Sequence, residues 1–106
     1  GAFPLWLSPV QVKVLPVSEK HNTYANEVLA ALRAANIRAE VDDANESLGK
    51  KIRNAKTEKV PYLLVVGDKE VEAKTVSIES RDAGKIGTTS LSDFITKATE
   101  EIKRRA

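Results

Sequence analysis

Residues 42–56 read DDANESLGKKIRNAK, and across them the side chains capable of chemistry change sign. Four carboxylates come first: Glu40 just upstream, then Asp42, Asp43 and Glu46. Five cations follow, Lys50, Lys51, Arg53, Lys56 and Lys59, against the single carboxylate of Glu58. Gly49 stands at the join. The acids suit either a magnesium site or the first turn of a helix, where the dipole favours negative charge anyway. Cations at a helix start are disfavoured by the same dipole, so Lys50, Lys51 and Arg53 need another reason. Asn45, Glu46 and Arg53 are the side-chain types that tell nucleobase edges apart through paired donors and acceptors. Lysines suit phosphates, which supply affinity without reading sequence. The bland reading is that Asn45 caps a helix, Glu46 complements its dipole, and the cations form a solvated face.

Other chemistry is sparse. The chain has no cysteine, which excludes disulfides, thiolate metal sites and cysteine nucleophiles. Its one histidine, His21, sits at the mouth of a predicted helix, a position more typical of a cap or surface residue than of a base. A Ser-His-Asp triad needs only one histidine, but no nucleophile-elbow motif accompanies it. Neither a phosphate-binding glycine loop nor zinc-ligand spacing is present. A small free-standing enzyme is therefore the least favoured class. At 106 residues, with 42% hydrophobic and 30% charged residues, the chain suits one ordinary soluble domain. Net charge is +2, so any basic surface must be local. No apolar run approaches the ~20 residues of a membrane span, and the N-terminus lacks the layout of a signal peptide. It reads as the middle of a longer protein in a reducing compartment, with a cytoplasmic location expected.

The elements that would position these residues follow from periodicity. Residues 10–17 alternate as a strand, ended by Pro16. Tyr24, Val28, Leu32 and Ala35 repeat at helical spacing, and Asn36 suits a left-handed C-terminal cap. Residues 38–42 form a short second strand. Leu48, Ile52 and Ala55 then make an apolar helical face, which leaves Gly49, Arg53 and Lys56 together on an outward one. Glycine so near a helix start costs about 1 kcal/mol against alanine, which points to a partner that approaches closely. Val60-Pro61 closes this helix, and the apolar run 62–66 reads as a central strand. Gly67-Asp68 reads as a turn, 75–80 as a strand, and 82–84 as a break before a short segment at 85–89. Ser90 and Asp93 have capping-box spacing ahead of a last helix faced by Leu91, Ile95, Ala98 and Ile102. The order predicts an α/β domain: a mixed sheet of about five strands with three helices. Right-handed crossovers make the first three strands parallel, and the 75–80 strand follows too closely to be anything but antiparallel. Ligands of such sheets bind at the carboxyl ends of the strands, where residues 42–49 lie.

Three blocks, in this order and spacing, carry a resemblance over essentially the whole chain: GAFPLWLSPVQV at the start, DDANESLGKKIR at 42–53 and VPYLLVVGDKEVE at 60–72. They resemble the C-terminal anticodon-binding domain of threonyl-tRNA synthetases, a class IIa family. The 61–70 block alone is shared more loosely with prolyl, glycyl and histidyl relatives. The resemblance implies a junction from a catalytic core at residues 1–9 and an anticodon-binding domain at 10–106. It implies a partner, the anticodon loop of threonine tRNA, whose middle guanine and third uracil would be read. Asn45, Glu46, Arg53 and Glu70 would face the bases. Gly49, Lys50, Lys51, Lys56, Lys69 and Arg81 would meet the RNA backbone, and single-stranded loops are the common target of such recognition. No cofactor is expected in this domain; ATP and zinc, and dimerisation, would belong to the parent ligase and its catalytic domain. Two positions depart from the family pattern, Ala44 and Glu79, where arginine is usual. Arg81 would share a strand face with Glu79 if that strand continues. A protein-interaction domain that has lost RNA binding is the reading those departures favour.

Overall fold

The computed structural model of the chain describes residues 10–42, 47–80 and 84–104. The junction expected at 1–9, and Asn45, Glu46, Ala44 and Arg81, lie outside them. Strand β1 (Val12–Pro16) leads through a short 3-10 turn (Glu19–His21) into α1 (Asn22–Ala34), and β2 (Ala39–Val41) into α2 (Leu48–Thr57). Then come β3 (Tyr62–Val66), α3 (Asp68–Ala73), β4 (Thr75–Ser80), β5 (Gly84–Ser90) and α4 (Leu91–Lys103). The sheet order is β2-β1-β3-β4-β5. As expected, β1 pairs parallel with both β2 and β3, while β4 runs antiparallel to β3.

Helices number four among the described residues rather than three. The extra one, α3, spans six residues, too few to show a helical repeat in sequence. It forms because Gly67 caps it, because Glu70 Oε1 accepts the Gly67 N–H at 3.1 Å, and because Asp68 and Glu70 place acid in its first turn. A Cβ at Gly67 would stand 3.1 Å from Val17 Cγ2, a tight contact that Val17 would have to relieve by a few tenths of an ångström.

Strand alternation divides the core in two. Val12, Val14, Leu64, Val66, Val76 and Ile78 point to one face, where Val28 and Leu32 of α1 and Phe94 and Ala98 of α4 cover them. Leu15, Leu63 and Val65 point to the other, where α2 packs Leu48, Ile52 and Ala55 on them. That second cluster ends at β3. On the same face, the next strands carry polar side chains: Ser77 and Glu79 of β4 oppose Thr88 and Lys85 of β5. The Ser77 and Thr88 hydroxyls lie 3.2 Å apart, which confirms that both point the same way. A register shift between Ile78 and Glu79 brings Lys85 opposite Glu79, with Gly87 at φ 134 supplying the irregular backbone. Sequence-level capping holds in part: Asn36 is left-handed at φ 63, and Ser90 Oγ accepts the Asp93 N–H at 3.2 Å.

Candidate nucleic-acid interface

Helix α2 starts where its cap can be made. Ser47 Oγ accepts the Lys50 N–H at 3.3 Å, so Ser47 caps it. The helix then puts Leu48 and Ile52 on one side of a cleft of about 390 Å³. Val65 adds further apolar lining, Ser77, Ile78 and Glu79 come from β4, and Glu70 and Lys85 complete it. An apolar lining with carboxylates beside it can take a flat ring and accept hydrogen bonds from its edge. Two other hollows, each about 430 Å³, are larger. One, between α2 and β2, is occupied on its wall by a closed ion pair, Lys13 Nζ to Glu58 at 2.7 and 3.1 Å. The other lies beside Arg33 and Arg38, and none of the residues expected to bind lines it.

The expected residues do not all converge. Glu70 lines the cleft, with one carboxylate oxygen spent on the Gly67 cap. Gly49, Arg53 and Lys56 are exposed and follow one stripe of α2, next to Leu48 and Ile52. The Arg53 guanidinium has no hydrogen bond or ion pair among the described residues. Gly49 faces open space: a Cβ built there meets nothing within 4 Å. Lys50 and Lys69 are exposed, on the first turns of α2 and α3. Lys56 reaches across to the sheet, its Nζ 3.5 Å from Glu79 Oε1.

Lys51 is the correction. It is 3% exposed, and its Nζ donates to the carbonyl of Pro16 at 3.0 Å. Its spacing explains this, for Lys51 is three residues after Leu48 and four before Ala55, within the buried stripe. Its stem packs as apolar surface while the ammonium satisfies the last carbonyl of β1. This cation is therefore turned inward, away from any phosphate.

His21 is the capping residue that its position suggests, but not a surface one: it closes a capping box with Ser18. It is buried, and it ties the end of β1 to the start of α3. Nδ1 accepts the backbone N–H of Ser18 at 3.1 Å, so the ring proton sits on Nε2 and donates to Asp68 Oδ1 at 2.7 Å. That bond, and then the one from Lys20, hold the Asp68 carboxyl below the usual carboxylate range. Ser18 Oγ lies 3.2 Å from the same Nδ1, which completes a serine, histidine and aspartate row. The row is not a nucleophile site, because the lone pair that would take the hydroxyl proton is already held by the Ser18 N–H. Its effect is positional: it fixes Lys69 and Glu70 relative to β1. Tyr24 anchors the other end of α3, donating to the Thr75 carbonyl at 2.9 Å. Burial, Glu27 and Glu70 raise its pKa and keep it a donor.

Ser77, Glu79 and Lys85 line the cleft without being among the expected contacts, Glu79 being singled out in the sequence only as a departure from the family pattern. The alternation TVSIES could have found the first two, since it puts Ser77 and Glu79 on the face opposite Val76 and Ile78. Lys85 could not be found that way, because its place depends on the shifted register.

A family model described as an anticodon binding domain matches residues 11–101. Over 106 residues, all of this chain, the sequence is 54% identical to a threonine–tRNA ligase of Caldanaerobacter subterraneus subsp. tengcongensis, covering 16% of that protein. It is 52% identical over 105 residues, 99% of this chain, to the threonine–tRNA ligase of Acetivibrio thermocellus, again 16% of that protein. Among solved structures, the RNA binding domain of threonyl-tRNA synthetase from Cryptosporidium parvum Iowa II superposes with a TM-score of 0.90 at 32% identity. That match covers 95% of this chain and 26% of the other. Prolyl-tRNA synthetase from Cryptosporidium parvum shares the fold, with a TM-score of 0.87 at 24% identity over 98% of this chain and 22% of its own.

Proposed function

The chain belongs to the anticodon binding domain family, and from that premise we propose that it holds the anticodon loop of threonine tRNA for a catalytic domain of the same parent ligase. The observation that carries the threonine assignment is identity of 54% and 52% to threonine–tRNA ligases over all or nearly all of this chain, against 24% to the prolyl-tRNA synthetase structure. The domain itself performs no chemistry. Its parent would join threonine to tRNA with ATP, and zinc and dimer contacts would belong to other regions of that ligase.

In this reading a guanine edge enters the cleft and offers its N1 and N2 donors to the free oxygen of Glu70. Leu48, Ile52 and Val65 provide the apolar surface on which the ring rests. Arg53 bonds a base carbonyl or a phosphate from its exposed stripe, and Asn45 and Glu46 meet the neighbouring base. Lys50, Lys56, Lys69 and Arg81 meet the RNA backbone, and Gly49 lets the strand lie close to the helix. Water is excluded from the base edge while the backbone stays solvated, which separates sequence reading from affinity.

The test is titration of the 106-residue chain with a threonine anticodon stem-loop and with one whose middle guanine is replaced. The expected result is about tenfold or greater discrimination, the scale of a well-made base contact. Resonance shifts should centre on Arg53 and Glu70. Equal affinity for the two loops would overturn sequence-specific recognition.

A further inference from the structure

One cation of the interface already has an anionic partner. Lys56 Nζ stands 3.5 Å from Glu79 Oε1, with the lysine side chain 55% exposed and the glutamate 21% exposed. The geometry differs from that of the partly buried pair on the other flank of α2, where Lys13 and Glu58 close to 2.7 Å. A charge-assisted hydrogen bond is about 2.7–2.9 Å long, so the Lys56 contact is an ion pair without that bond. Its two ends also differ in freedom. Glu79 is fixed on β4 within the sheet, whereas Lys56 ends a flexible stem near the end of α2.

We propose that Glu79 is an internal counter-ion that competes with RNA phosphate for Lys56 and so sets the strength and salt dependence of binding at this face. The inference rests on the functional reading above. Among the described residues, the charges facing Glu79 are Lys56 from α2, Lys85 from the opposed position of β5, and Glu70 across the same cleft. While Lys56 is paired, its charge is cancelled locally, and a phosphate near it gains no net cation. Binding RNA then requires Lys56 to leave Glu79, and the carboxylate left behind repels the arriving phosphate. Glu79 is thus a positioning residue that acts through Lys56. It weakens sequence-independent attachment while leaving the base-reading groups untouched, which shifts the balance toward discrimination.

A double-mutant cycle tests this with the 106-residue chain and the threonine anticodon stem-loop, measuring affinity across a range of salt. Glu79→Gln keeps shape and an acceptor oxygen but removes the charge. The expected result is about threefold tighter binding at low salt. The slope of log affinity against log salt should steepen by about 0.7, the increment for one more single-strand phosphate contact. In a Lys56→Gln background, Glu79→Gln should leave the slope unchanged. An unchanged or shallower slope in the single variant overturns the proposal, as does the same steepening without Lys56. Weaker binding confined to the guanine-containing loop also overturns it, and would make Glu79 a direct reader of the base. The slope does not depend on base identity, so it is separate from the guanine discrimination that tests the functional reading.

Discussion

Lys51 and Lys56 lie on one helix, five residues apart, and the fold gives them opposite tasks. The helical period turns Lys51 under α2 to the Pro16 carbonyl and leaves Lys56 over the sheet. Lys51→Met should lower stability by about 1–3 kcal/mol in denaturant titration, because the buried carbonyl loses its donor. The salt slope of RNA binding should stay as it is, whereas a phosphate-contacting lysine would lose one increment. The Asp68 carboxyl gives a pH prediction. Its pKa is depressed in the folded chain by His21 and Lys20. The stability it contributes is therefore complete above its unfolded value and lost as pH falls through the lower folded value. Asp68→Asn should be less stable than the natural chain at neutral pH. Thermal melts should show that gap closing as pH falls through the depressed folded-state value of Asp68. A constant gap across that range would mean that packing, not charge, holds the contact.

At the scale of the element, α2 is the part that joins stability to binding. Ser47 caps it, Leu48, Ile52 and Ala55 fix it to the sheet, and Gly49 weakens it where nothing in the chain requires a glycine. Gly49→Ala should raise stability by about 0.5–1 kcal/mol, since the added methyl meets open space and the helix gains propensity. If RNA lies across this position, the same substitution should weaken stem-loop binding several-fold. Equal or tighter binding by the more stable variant would remove Gly49 from the interface. Helix α3 matters differently. It is short and buries no residue fully, yet its cap and the His21–Asp68 bond set where Glu70 stands.

At the scale of the molecule, the proposed interface rests on uneven coverage of the sheet. Two helices close one face, and α2 closes only the β1–β3 part of the other, so β4 and β5 present a polar row beside an apolar helix edge. Net charge of +2 cannot by itself steer RNA, and the local cations must supply the field. With Lys50, Arg53 and Lys69 as exposed contacts among the described residues, and Lys56 offset by Glu79, the salt slope should be near about −2, at 0.7 for each single-strand phosphate. A slope near zero in stem-loop titrations would rule out an electrostatic contribution from this face.

Periodicity and family resemblance read from the sequence alone were enough for the strand order, three of the four helices, the parallel-then-antiparallel pairing, and membership of the anticodon binding family. Those properties depend on local repeats of 2 and 3.6 residues and on blocks of contiguous residues, which a linear chain displays directly. What needed tertiary structure was the partner of each charge. Lys51 meets a strand end 35 residues away, His21 meets Asp68 47 residues away, and Glu79 meets Lys56 across the gap between helix and sheet. The stretch 42–56 announces a surplus of cations, but their number at the surface depends on contacts between distant elements. Side-chain direction and strand register decide those contacts, and neither is a property of any one segment.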